Sequence, residues 1–289
     1  MTGRPPLPET IAGVVSDVDG TLVRNDKLLS SRTIETVQAL QDAGVKFTVV
    51  SSRPPRGLKM VIERLKIKAP VAGFNGGVVA SPDLSVITSH LIAADAARHA
   101  VETIEAAGAN AWVFSGKDWF VRDPNGPRVA LEEKTVEFSP AVVTDFAAVI
   151  GAAAKIVAVS DDFALLSQLQ GRVREQLSGH ANIVRSQNYY LDFTHPLANK
   201  GHALIELTRL MAVPAARTAA LGDGENDVAM FAKAGFSVAM GNANPVVQAA
   251  ADFVTAGNED DGAAAAIEWF VIDGKRVAID RAGATRKVV

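Results

Sequence analysis

Residues 11–21 read IAGVVSDVDGT, and the fold turns on how that stretch is taken. An apolar run from Ile11 to Val15 delivers two carboxylates, Asp17 and Asp19, to a turn. Val14 and Val15 suit a strand interior, and Gly20 lets the backbone leave at an angle that a residue with a side chain adopts poorly. The acids then stand at the carboxyl end of a buried strand, the edge at which open parallel sheets bind ligands. Alternate residues on a strand point the same way, and like charges about 4 Å apart repel by roughly 4 kcal/mol at a surface-like dielectric. The stretch therefore predicts a positive group between Asp17 and Asp19. An isolated Asp-x-Asp reads equally as a turn or helix cap; Gly20 and Thr21 behind it make the pattern far less common.

Other strand ends repeat the design. Ile34, Val37 and Leu40 mark a helix with Ser31 as N-cap and Gly44 as stop, and the strand Lys46–Val50 follows, ending at Ser51-Ser52-Arg53-Pro54. Either serine also reads as a cap for the next helix, Arg56–Leu65. A third strand, Val71–Phe74, closes at Asn75-Gly76-Gly77, a hairpin signal with Val78–Ala80 as return strand. Further on, Asn199-Lys200-Gly201 opens a helix carrying Leu204, Leu207 and Met211, which sets Lys200 in its first turn. A cation there opposes the helix dipole by a few tenths of a kcal/mol, and a surface lysine is the plain alternative. Thr218–Leu221 is a strand that empties into Gly222-Asp223-Gly224-Glu225-Asn226-Asp227. That loop lacks the alternating acids and terminal Glu of a calcium-binding EF-hand; a loose acidic turn remains open as a reading.

These stretches together resemble the haloacid dehalogenase superfamily. Its Asp-x-Asp-Gly-Thr signature is matched by Asp17, Asp19, Gly20 and Thr21, its Ser/Thr motif by Ser51, its helix-opening Lys by Lys200, and its acidic motif by Asp223, Asn226 and Asp227. Asn75-Gly76 and Asn199-Lys200-Gly201 are similar to the Cof-like phosphatase subgroup, whereas Ser52 stands where that subgroup usually has glycine, which leaves Ser51 and Ser52 as alternatives for the phosphate-binding hydroxyl. The resemblance implies an α/β fold: a doubly wound, mostly parallel Rossmann-like sheet with an inserted α+β cap domain. It implies Asp17 as nucleophile, Asp19 as general acid and base, and Ser51 and Lys200 as groups holding the transferring phosphoryl. Mg²⁺ is the implied cofactor, held by Asp17, Asp223, Asn226, Asp227 and the backbone carbonyl of Asp19. Gly20, Thr21, Ser52, Arg53, Asn75, Gly76 and Asn199 are the implied substrate-binding positions. Anions flanking Asp19 are expected to raise its proton affinity, as a general acid near neutral pH requires. The implied activity is phosphatase action on a small phosphorylated metabolite such as a sugar phosphate; a phosphotransferase or phosphomutase, or a non-catalytic phosphate-ligand-binding protein, would share the scaffold.

From about Ser81 the texture changes. Leu91–Ala107 reads as an Ala-rich helix, Ala111–Phe114 and Trp119–Val121 as a strand pair around Gly116, Ile156–Val159 as a strand, Phe163–Leu177 as a helix, and Ile183–Val184 and Tyr190–Phe193 as strands. Such a series suggests an α+β insert. The expected domains are 1–82 and 195–289 for the core and 83–194 for the cap, with 1–10 and 278–289 flexible. Trp112, Trp119, Arg122, Arg128, Tyr189 and Tyr190 are cap candidates for substrate contact, with a place in the cap's own core or rim as the alternative. His90, His99, His180, His195 and His202 show no metal-binding spacing.

The bulk numbers fit this reading. The chain has 289 residues, 48% apolar and 21% charged, enough for one large or two smaller packed domains. A net charge of -3 gives no bulk attraction to nucleic acid or anionic lipid, and the basic residues Lys275, Arg276, Arg281, Arg286 and Lys287 are scattered, as in a solvated tail. With no cysteine, thiolate chemistry and disulfides are excluded. Without a signal-like or membrane-length apolar run, a cytoplasmic protein is expected.

Overall fold

The computed structural model of the chain describes residues 11–270. The expectations for residues 1–10, for the scattered basic residues from Lys275 onward and for the end 278–289 lie outside the described residues.

The first segment runs β1 (Gly13–Ser16), α1 (Ser31–Asp42), β2 (Lys46–Val49), a 3-10 turn (Pro55–Leu58), α2 (Lys59–Leu65), β3 (Val71–Gly73), β4 (Val78–Ala80) and β5 (Val86–Ser89). A second segment holds α3 (Ala94–Ala106), β6 (Asn110–Ser115), β7 (Asp118–Val121), α4 (Val129–Val136), β8 (Ala141–Val142), β9 (Ala153–Val159), α5 (Phe163–Gln176), β10 (Asn182–Gln187) and β11 (Tyr190–Thr194). The chain then returns through α6 (Lys200–Leu210), β12 (Thr218–Gly222), α7 (Val228–Phe231), β13 (Phe236–Ala239), α8 (Pro245–Ala250), β14 (Phe253–Val254) and α9 (Gly262–Phe270).

The apolar run of the opening stretch becomes β1, buried along its whole length between β12 and β2 in a parallel sheet of order β14-β13-β12-β1-β2. Burial on both faces requires apolar side chains at successive positions. Val14 packs with Val37, Leu40 and Ile267 on one face, and Val15 packs with Leu204, Leu207 and Val247 on the other. Helices therefore cover both sides, and the sheet is doubly wound. Strand order reverses where β1 separates β12 from β2, which opens the crevice at their carboxyl ends.

Two local outcomes differ from the sequence reading. Ser30, not Ser31, caps α1, its hydroxyl accepting the Thr33 N–H. The Asn75-Gly76 turn is longer than a two-residue hairpin: Phe74, Asn75 and Gly76 have φ of 52°, 57° and 99°, and the turn is held by Phe74 N–H to the Arg53 carbonyl and Asn75 N–H to the Ser51 carbonyl. The hairpin is thereby bent onto the loop after β2. Its sheet, β3-β4-β5, continues past residue 82 to Ser89.

The second segment forms a sheet of order β10-β11-β9-β6-β7-β8. Helices α3 and α5 cover one face through Val101, Ile104, Leu166 and Leu169 against Ile156, Leu191 and Phe193. The other face carries Trp112, Phe114, Trp119, Val157 and Tyr190, and packs on α4 and on Phe74 and Val78 of the first segment. Helix α4 lacks a clear apolar period and escaped the sequence reading; left-handed residues at Arg128 and Glu137 bound it. Most of the cap candidates are spent within the cap. Trp112 and Trp119 are buried and meet edge to face at 5.1 Å, Arg122 pairs with Glu105 at 2.8 Å, and Arg128 pairs with Asp161 while lying over the Tyr189 ring. Among the described residues no helix is long and apolar enough to cross a membrane.

Candidate active site

Parallel pairing brings the signature and the acidic loop together. Ser16 lies opposite Leu221 in register, and the next residue, Asp17, donates its N–H to the Leu221 carbonyl at 2.9 Å. The loop after β1 folds tightly onto the loop after β12: Gly20 has φ of 79°, and a Cβ there would stand 2.2 Å from Asp223 Oδ2. Thr21 donates from its hydroxyl to Asp223 Oδ1 at 3.0 Å.

Lys200 enters from α6. It is 1% exposed, and its ammonium lies 2.8 Å from Asp17 Oδ1 and 2.5 Å from Asp227 Oδ1. The surface-lysine alternative is thereby excluded. Asn199, expected on substrate, caps α6, its side-chain oxygen accepting the His202 N–H at 3.0 Å. Gly76 lets the hairpin close on that helix start, since a Cβ there would meet Ala203 Cβ at 2.7 Å. Asp227 is fully buried; its Oδ2 accepts the backbone N–H groups of Asp223 at 2.9 Å and Gly224 at 2.8 Å.

Asp17, Asp223 and Asp227 each offer a carboxylate oxygen within 4.8 Å of the others. Burial pushes the Asp17 carboxyl well above its ordinary range, with the charges of Asp227 and Asp223 adding and Lys200 opposing. Asp223 is pushed up to about 6, by burial first and then by Asp227. Burial works against the charge on Lys200, but Asp17 and Asp227 together hold its affinity for the proton above the ordinary lysine value. One ammonium thus stands against three clustered acids. The surplus negative charge on an all-oxygen donor set fits a hard divalent cation. Of the other expected ligands, Asn226 donates its amide to Asn75 Oδ1 at 3.0 Å.

Asp19 requires a correction. Among the described residues no side-chain cation is shared between it and Asp17, because β1 ends at Ser16 and the two residues are in the turn rather than at alternate strand positions. Asp17 meets Lys200, whereas Asp19 accepts from Arg53 at 2.7 and 2.8 Å and from Lys27 at 2.8 Å. Nor is its proton affinity raised: burial favours the neutral form, but the bonds and charges of Arg53 and Lys27 outweigh it and hold Asp19 down to about 2. Arg53, expected on substrate, is 4% exposed and engaged by Asp19 and by the Gly57 carbonyl. Ser51 is fully buried and its hydroxyl accepts the Arg53 N–H at 3.1 Å, while Ser52 is half-buried.

Two residues at the site escaped the sequence reading. Lys27 sits in the irregular stretch before α1, where no pattern marks it. Asn242 donates to the Gly20 carbonyl at 2.9 Å and to Asp223 Oδ2 at 3.3 Å. A signal existed for it, since Asn242 comes shortly after β13 as polar residues come after β1, β2 and β12.

Comparison with known proteins agrees with the geometry. The family described as haloacid dehalogenase-like hydrolase matches residues 14–267. A 5-amino-6-(5-phospho-D-ribitylamino)uracil phosphatase of Bacillus subtilis is 27% identical over 259 residues, 87% of this chain and 94% of its own. An HMP-PP phosphatase of Yersinia pseudotuberculosis is 25% identical over 79% of this chain and 83% of its own. The crystal structure of a haloacid dehalogenase-like hydrolase from Bacteroides thetaiotaomicron superposes with a TM-score of 0.84 at 26% identity, covering 91% of this chain and all of that one.

Proposed function

Since the chain belongs to the haloacid dehalogenase-like hydrolases and is a phosphatase of phosphoester substrates, we propose that it is a Mg²⁺-dependent phosphomonoesterase working through an aspartyl-phosphate on Asp17. The observation that carries this reading is the Lys200 ammonium lodged between Asp17 and Asp227 beside Asp223. It keeps one Asp17 oxygen paired and fixes the direction of the carboxylate. Asp17, Asp223, Asp227 and the backbone carbonyl of Asp19 would hold Mg²⁺. When bound, the ion supplies positive charge that offsets repulsion between an anionic nucleophile and an anionic ester.

In the first step an Asp17 oxygen attacks phosphorus, the bond from phosphorus to the ester oxygen breaks, and the departing oxygen takes a proton from Asp19. In the second, Asp19 removes a proton from water, which attacks phosphorus; the bond from phosphorus to Asp17 breaks and inorganic phosphate leaves. Ser51 and Lys200 donate to the phosphoryl oxygens where charge develops. Asp227 is assigned to orienting Lys200 and the loop at Asp223. Asn75 and Asn226 close the site's rim together, and Gly20, Thr21 and Gly76 let the loops approach. Among the described residues the core comprises the segments from 11 to about 90 and from 195 to 270, and the intervening cap selects a small phosphorylated metabolite.

Phosphate release from p-nitrophenyl phosphate, with Mg²⁺ and with a chelator, tests the reading. Turnover is expected only with Mg²⁺ and only with Asp17 intact. Equal activity of the Asp17→Asn variant would remove the assigned nucleophile.

A further inference from the structure

The chain passes from the first segment to the second just after β5 and returns just after β11, and a histidine stands at each crossing, His90 after Ser89 and His195 after Thr194. The two rings stack, with centroids 5.4 Å apart and planes 24° apart. His90 Nε2 lies 3.9 Å from Glu206 Oε2 of α6, and the His90 backbone N–H donates to the Gly77 carbonyl at 2.7 Å. His195 Nδ1 accepts the Leu197 N–H at 3.1 Å, within the turn that leads back to α6. These contacts bind the two crossings to each other and to the core.

A ring nitrogen that accepts a backbone N–H carries no proton, so His195 is neutral with its proton on Nε2. That arrangement does not suit a metal ligand, whose second nitrogen donates rather than accepts. It does suit a sensor of pH, because a second proton on His195 displaces the Leu197 bond. Burial lowers the proton affinity of His195 below its ordinary 6.5, the charge of His90 lowers it further, and no acid among the described residues raises it. On α6, Glu206 stands against His90, and His202 Nδ1 takes the Asn199 amide at 2.5 Å. On β9, Lys155 lies opposite Thr194 in register, with its ammonium 2.7 Å from Asp192 Oδ2. A proton on His90 therefore meets Glu206, whereas a proton on His195 meets His90.

We propose that His90 and His195 form an acid-released latch between core and cap. With His195 neutral, the stack and the Leu197 bond hold the two crossings together and fix the cap on the core. A proton on His195 breaks that bond and, with His90 also charged, sets two like charges ring to ring, which frees the cap to move. The sign is definite: a histidine whose proton affinity is depressed on folding stabilises the arrangement above its unfolded value, and that contribution is lost as pH falls below about 6.5. The latch lies outside the chemistry at Asp17 and does not depend on it.

Hydrogen exchange at the Leu197 N–H, followed by NMR in the full chain and corrected for the intrinsic rate, reads the bond. Its protection is expected to fall by about tenfold per pH unit below about pH 6.5, the linkage of one proton to opening. The chain has no cysteine, so spin labels on Glu35→Cys of α1 and Asp95→Cys of α3 report the distance from core to cap. That distance distribution should broaden over the same pH range. His195→Asn offers Leu197 an amide oxygen that takes no proton there and leaves every other titrating group in place, so both readouts should become flat. His180→Asn, on the cap surface, should respond as wild type does. Ring NMR of wild-type His195 gives a check that needs no substitution, since its titration should coincide with the loss of Leu197 protection. Unchanged protection and distance in wild type, a response in His195→Asn as large as in wild type, or a His195 titration that does not follow the loss overturns the latch. Lost protection with an unchanged distance distribution also overturns it, because the bond then has no hold on the cap.

Discussion

Arg53 grips the carboxylate of Asp19 through two parallel hydrogen bonds, Nε to Oδ2 at 2.7 Å and Nη2 to Oδ1 at 2.8 Å. A guanidinium fork on a carboxylate is the strong form of this contact, and the Arg53 side chain is 3% exposed, so water screens it little. In the ligand-free protein Asp19 is therefore held ionised, the form that activates water. To act first as an acid it must be loosened from this grip, which an incoming phosphoryl dianion would do by competing for Arg53.

Replacing Arg53 by Met is expected to raise the Asp19 titration from about 2, because burial is then opposed by Lys27 alone. A carboxyl-carbon NMR titration reads the midpoint directly. The stability consequence has a definite sign: a carboxyl depressed on folding stabilises the protein above its unfolded pKa and loses that contribution as pH falls through the folded one. For wild type this is about 2 kcal/mol, lost between about pH 4 and pH 2. A midpoint near 2 in Arg53→Met would show that Arg53 is not what holds Asp19.

Lys200→Met leaves Asp17 and Asp227 buried without their shared cation. Breaking such a pair from one side costs about 3–5 kcal/mol, to be read by urea unfolding in metal-free buffer. Mg²⁺ binds the folded state and should recover part of that loss, while p-nitrophenyl phosphate turnover falls sharply. Unchanged stability would mean that the acids are neutralised in another way.

The sequence made this convergence legible because chemistry-bearing residues follow buried strands, and a doubly wound sheet brings such ends to one edge. That logic puts Asp17 and Asp223 at strand ends. For Lys200, which opens a helix, and for the role of the Asp223 loop, the local pattern left a surface lysine and a loose acidic turn open, and only the family resemblance joined them to the site. What failed was side-chain direction in the turns. The strand period of two was carried one residue too far, past Ser16, and that error put Asp17 and Asp19 around one cation. Lys27 and the grip of Arg53 depend on how two irregular loops cross, 34 residues apart for Arg53 and Asp19, which no periodicity encodes. In the cap, Lys155 and Asp192 lie on adjacent strands but are not directly opposite in register, and nothing local marks them as partners.

Asp223 ties metal binding to pH. Its folded pKa, about 6, lies above its ordinary 3.8, so without metal the folded state binds the extra proton and this group's contribution to stability declines as pH rises from about 4 to about 6. Mg²⁺ needs the ionised form and competes with that proton. Its affinity is expected to weaken by nearly tenfold per unit below about pH 6, with proton uptake by buffer on binding. Calorimetry at pH 5.5 and 7.5 in two buffers of different ionisation enthalpy checks both; equal affinities at the two pH values would refute the coupling.

Gly20→Ala separates backbone strain from site geometry. The left-handed φ of 79° disfavours any side chain, at about 1–2 kcal/mol. The new Cβ would also stand 2.2 Å from Asp223 Oδ2, so that carboxylate must move away from its cluster with Asp17 and Asp227. Gly44, at φ of 85° with nothing within 4 Å, provides the comparison, because Gly44→Ala carries the strain without the collision. Both variants should lose similar stability from the backbone. Only Gly20→Ala should weaken Mg²⁺ affinity, by about tenfold or more, as expected when an oriented ligand is displaced. Titrating Mg²⁺ into the two purified variants decides it: equal affinities would mean that the close approach of Gly20 to Asp223 has no part in holding the ion.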